Sequence, residues 1–150
     1  MDDADVLVVD GKISAIQPLL GVLEIAAKER RKLLIIAENV DGEALATLIL
    51  NKLRGLNVVA VKAPGFGDNR KSNLQDIAVL TGATLISDEI GVKLDDAGAE
   101  HLGSAKKIRV TADNTIIMDG AGGKPAIAER CELVISNIFF LHLFDCNTFF

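Results

Sequence analysis

Three times within its first 82 residues the chain repeats one pattern: an unbroken aliphatic run, a turn signal, then a stretch with helical spacing. The runs are Val6–Val9, Leu33–Ala37 and Val58–Val61. Continuous rather than alternating apolar strands are buried on both faces, so they pair in parallel and are joined by right-handed helical crossovers. Ser14 reads as the cap of a first helix over Ala15–Lys28, with Pro18 tolerated in its first turn. Asp41 reads as the cap of a second helix through Arg54, closed by Gly55. A third helix starts at Asp68 or Asn69 and stops at Gly82, and Thr84–Ile86 reads as a short fourth strand. After Glu89 the pattern changes. Ile108–Thr111 and Thr115–Met118 alternate around Ala-Asp-Asn, which predicts an antiparallel hairpin at the rim of a mainly parallel βαβ core.

Charge and composition narrow the function classes. A net charge of −5, with its 16 basic residues scattered, argues against nucleic acid as a partner. Cys131 and Cys146 form no CxxC and have no adjacent His pair, so neither a zinc site nor a disulfide framework is expected. His101 reads as a solvated loop residue, and no nucleophile, base and orienting group fall together, so no catalytic residue is assigned.

Five of the six Phe lie between Phe139 and Phe150, which sets residues 136–150 apart from 1–135. The stretch SNIFFLHLFDCNTFF shows no clean period and is too short to span a bilayer, which takes about 20 residues. It is expected to be a non-native apolar tail, with a buried strand or an interaction tail as alternatives. The sixth, Phe66, lies in the loop Lys62-Ala63-Pro64-Gly65-Phe66-Gly67-Asp68. That loop matches no phosphate-binding motif. Its Pro and Gly fix a sharp turn, and Phe66 is expected to plug an apolar gap in the core.

The first two helices are apolar over too wide an arc. Counting about 100° per residue, Ile16, Leu19, Leu20, Val22, Leu23 and Ile25 spread over roughly 220°, and Leu45, Leu48, Ile49, Leu50 and Leu53 over roughly 200°. Covering a sheet takes a stripe little wider than about 100°. Leaving Leu or Ile exposed forgoes about 1.5–3 kcal/mol each. Two such helices side by side predict an exposed apolar groove suited to other chains' apolar segments.

The runs AENVDGEALATLILNKLRG (37–55) and VVAVKAPGFGDNRKSNLQDIAVLTG (58–82), with KISAI near Lys12 and TIIMDGAG near Thr115, closely resemble the apical domain of group I chaperonins. TLILNKLRG and AERCE resemble mitochondrial members more than bacterial ones. The resemblance covers about Val6–Glu132 and implies a three-layer β/α/β swivelling domain that binds non-native polypeptides and the co-chaperonin mobile loop. It places the binding positions on Leu20, Leu23, Leu45, Ile49 and Leu50. It further implies a parent in heptameric rings in the mitochondrial matrix, hydrolysing ATP with magnesium in an equatorial domain, with no cofactor, metal or membrane contact expected for the present residues. Two alternatives stand beside it: a small-ligand or phosphoacceptor domain using Asp10 and Lys62, and a truncated gene product without function.

Overall fold

A computed structural model describes the backbone of residues 1–146 and the side chains of residues 1–136. The elements run β1 (Asp2–Val8), β2 (Lys12–Ile13), α1 (Leu20–Glu29), β3 (Lys32–Ala37), β4 (Asn39–Val40), α2 (Gly42–Leu53), β5 (Val58–Lys62), α3 (Gly67–Thr81), β6 (Gly103–Val110), β7 (Thr115–Gly120) and α4 (Lys124–Cys146). The main sheet has the order β5-β3-β1-β6-β7. Strands β5, β3 and β1 are parallel, as their continuous apolar runs predict, while β6 joins β1 antiparallel and carries β7 as the hairpin partner.

The period of two along the central strands sorts the core into two halves. Leu7, Val9, Leu33, Ile35 and Ala37 face Val22, Leu23, Ala26, Ala44 and Leu48, so α1 and α2 cover one side. Val6, Val8, Leu34 and Ile36 face Leu74 and Ala78, so α3 covers the other. The α/β class, the parallel core and the rim hairpin match the sequence reading, but the order of layers differs. The hairpin extends the same sheet instead of forming a layer of its own, and the layers run helix, sheet, helix. Strand β6 supplies the backbone partners on the open side of β1, and its Ala105 and Ile108 are buried in the α3 half of the core.

Several local expectations are corrected. Thr84–Ile86 does not form a strand: one parallel bridge, Val9 to Ile86, is all that pairs there. The first helix starts later than Ala15, because Gln17–Leu19 takes up a tight 3-10 turn around Pro18 before α1 begins at Leu20. Lys12–Ile13 instead pairs in parallel with Asn39–Val40, a two-stranded ribbon the sequence did not signal. Gly82 closes α3 in the left-handed region at φ 72°, as read from sequence. Arg30 occupies the same region at the end of α1, with φ 54°.

The β7 end lies hard against the last turn of α3. A Cβ at Gly122 would stand 2.0 Å from the Val79 carbonyl oxygen, so only glycine allows this approach. From there α4 packs on α3, with Arg130 Nε donating to Asp76 Oδ1 at 2.5 Å. Its backbone stays helical through Cys146, where no period was legible. A helix needs backbone hydrogen bonds, not amphipathicity, so an apolar run with one charge can form it without a polar stripe. The side chains of residues 137–150, Phe139 and His142 among them, lie outside the described residues. Among the described residues, no helix is long and apolar enough to cross a membrane.

Candidate functional site

Because the two βα units of the parallel core share one covered face, α1 and α2 lie side by side over the sheet. Their starts are tied together by polar contacts. The Ile13 carbonyl accepts the Asp41 N–H at 3.0 Å, and the Ser14 carbonyl accepts the Ala44 N–H at 3.0 Å, satisfying a donor at the open end of α2. Ser14 is therefore no cap for α1. Asp41 stands at the cap position of α2 in extended conformation, yet its side chain makes no capping bond. Its carboxylate is taken by Ser14 Oγ at 2.5 Å and Asn39 Nδ2 at 2.9 Å.

The five residues assigned to the groove divide unevenly. Leu20 is 45% exposed on α1, and Leu45, Ile49 and Leu50 are 41%, 53% and 52% exposed on α2. Leu23 is not among the exposed ones: it is 6% exposed and belongs to the core between α1 and the sheet. The equal surplus expected on both helices is corrected with it. The excess sits mainly on α2, which also exposes Leu53, at 79%. On α1 the surplus is absorbed by a segment far along the chain. Ala97 is buried with Leu19 and Val22, Val92, Leu94 and Leu102 pack against the same cluster, and the Ala97 carbonyl reaches within 3.7 Å of where a Gly21 Cβ would stand. Ile25 is half-buried beside Ala99 and Leu102.

Between the helices lies a groove of about 650 Å³ lined by Leu20, Leu23, Ala27 and Leu56, while Leu45, Ile49 and Leu50 stand exposed on α2 outside that lining. It opens toward the C-terminal ends of both helices, where Arg30 and Arg54 stand at its rim. What such an arrangement can do is hold an apolar segment by area, with few fixed polar contacts to demand a particular sequence.

Elsewhere the expectations fare differently. Phe66 is 88% exposed and plugs nothing. The positive φ values of Gly65 and Gly67, 88° and 53°, turn the loop so that Phe66 projects outward at the start of α3. Asp10 follows β1 and Lys62 ends β5, two strands apart with β3 between them, and they form no ion pair among the described residues. No group of three His, Cys, Asp or Glu side chains suited to a metal ion occurs among the described residues. His101 is half-buried rather than solvated, and its Nδ1 accepts the Gly98 N–H at 3.1 Å, which makes it a local turn cap. That bond requires Nδ1 unprotonated, so the 3.6 Å approach of Glu100 to the same atom is no ion pair in this arrangement.

Sequence reasoning missed Asp5. It is buried in β1, with Arg31 Nη2 2.7 Å away. Burial pushes its carboxyl above the usual 3.8, and Arg31 draws it part of the way back. A lone Asp before an apolar run was the only signal available, and it reads equally well as an exposed strand start.

Comparison with known proteins bears on this geometry. No protein-family model matches the chain. It is 53% identical over 139 residues to the mitochondrial chaperonin CPN60-1 of Cucurbita maxima, and 53% identical over the same length to the mitochondrial chaperonin CPN60 of Arabidopsis thaliana. Each match takes in 92% of this chain and 24% of the relative, so the chain spans about a quarter of the length of these proteins. The match is longer than the Val6–Glu132 stretch that carries the resemblance in sequence. Among solved structures, the chaperonin gp146 of bacteriophage EL shares the fold, with a TM-score of 0.66 at 22% identity over 94% of this chain and 28% of that one.

Proposed function

We propose that the chain is the polypeptide-binding apical domain of a group I chaperonin, with the α1/α2 groove as its working surface, a reading supported by its 53% identity over 139 residues to mitochondrial chaperonins. The groove captures apolar segments of non-native proteins and, in competition with them, the mobile loop of the co-chaperonin. Leu20 and the buried Leu23 belong to the groove itself, and the exposed Leu45, Ile49 and Leu50 extend its apolar contact surface along α2. One observation carries the reading: large aliphatic side chains stand exposed along α2 and at the head of α1, where a helix covering a sheet has no need of them.

On this proposal the parent protein is a mitochondrial, ring-forming chaperonin whose ATP and magnesium chemistry belongs to other regions. The described residues bind chains and hydrolyse nothing. Competition for one groove explains release, since a co-chaperonin loop that occupies the apolar residues displaces the bound polypeptide. The test is binding of a chemically unfolded substrate protein to the chain and to its Leu45→Glu and Ile49→Ser variants. Both substitutions fall on exposed positions, so the fold survives them, and affinity is expected to drop at least tenfold in Leu45→Glu. Equal affinity in all three overturns the assignment.

A further inference from the structure

The groove is not apolar from end to end. Its lining at the C-terminal ends of α1 and α2 carries Arg30, Arg31 and Arg54, with Glu24 as the one carboxylate. Arg31 is committed to Asp5 at 2.7 Å. Arg30 and Arg54 are exposed and have no ion-pair partner among the described residues. In a chain of net charge −5, this is a local reversal of sign.

Two features work against it. Helix C-termini carry partial negative charge, about half a unit each. Here the orphan carbonyls are partly satisfied, since the Arg30 N–H is donated to Ala26 and Ala27, and the Arg54 N–H to Leu50. Glu24 lies one turn from Lys28 on α1, which offsets it. The guanidinium groups, by contrast, extend beyond the helix ends on long side chains and present five donors each in a fixed fork that matches a carboxylate.

From this we infer that the groove discriminates among apolar segments by the charge of the residues next to them, preferring a segment trailed by an acidic residue over one trailed by Lys. The inference rests on the polypeptide-binding reading and adds a polarity to it.

The test uses three labelled synthetic peptides with one Leu-Val-Leu-Ile core, ending in Glu-Glu, Gln-Gln or Lys-Lys, with anisotropy read at low and at 0.5 M salt. Surface ion pairs are individually weak, so the Glu-Glu peptide is expected to bind about three- to tenfold tighter than the Lys-Lys peptide at low salt. The difference shrinks toward zero at high salt. In an Arg30→Gln/Arg54→Gln variant the affinities of the three peptides converge. Equal binding of the three peptides by the unaltered chain overturns the preference and leaves the groove standing, as does a preference that survives in the double variant. Failure of every peptide to bind overturns the groove's role along with it.

Discussion

Ser14 donates its hydroxyl to the carboxylate of Asp41 at 2.5 Å, across 27 residues of sequence, and so fixes the loop before α1 to the first turn of α2. The two helices of the groove are held in register there by a polar clamp, with the Lys12–Ile13 and Asn39–Val40 ribbon behind it. Ser14→Ala and Asp41→Ala are each expected to lower unfolding free energy by about 0.5–1.5 kcal/mol. Because the residues act on one contact, the double variant loses less than the sum. Urea denaturation of the four proteins measures the coupling, and strict additivity would show that the clamp contributes nothing.

Leu23 and Leu50 separate folding from binding. Leu23→Ala opens a cavity between α1 and the sheet and is expected to cost about 2–5 kcal/mol of stability. Leu50→Ser stays within about 0.5 kcal/mol of the unaltered protein, as surface substitutions do, yet weakens capture of unfolded chains. Thermal melts alongside a binding titration distinguish the two, and a stable Leu23→Ala protein would contradict its placement in the core.

Phe66 offers the reverse comparison. Truncating a core aromatic costs about 3–5 kcal/mol, whereas an exposed one costs little. With 88% of its surface in solvent, Phe66→Ser is expected to unfold within about 0.5 kcal/mol of the parent. A large loss would restore the core-plug reading.

The Asp5–Arg31 pair sets a pH dependence whose sign is opposite to that of an ordinary salt bridge. Since burial raises the folded pKa of Asp5 above 3.8, the folded state holds the proton more tightly than the unfolded chain does. The corresponding stability is fully present below pH 3.8 and lost as pH climbs through the folded value. Asp5→Asn removes this contribution, so its unfolding free energy, compared with the parent between pH 3.5 and 7, gains relative stability as pH rises. An unchanged difference across that range contradicts the raised pKa. Arg31→Ala leaves the buried carboxylate without its partner and is expected to cost about 1–3 kcal/mol at neutral pH.

The strands and helices of the parallel core were legible because their signals are local. Unbroken aliphatic runs mark Leu33–Ala37 and Val58–Val61, and Gly82 marks the stop of α3 through a conformation that only its own backbone has to adopt. Helical spacing alone predicted more apolar surface on α2 than covering a sheet needs, and Leu45, Ile49 and Leu50 are indeed exposed there, but it was the family resemblance that singled out those positions. Resemblance of the KAPGFGD region identified the family.

What the chain order could not decide was which apolar residues find a partner far along the sequence. Leu23 is buried against the sheet, and α1 loses most of the rest of its surplus because residues Val92–Leu102 return to pack on it, some 70 positions later. Phe66 stays outside because two glycines at positive φ aim it away from the sheet. Helical spacing fixes the angle at which a side chain leaves its own helix. Whether that direction meets protein or water depends on contacts between distant segments, and only the tertiary structure sets those.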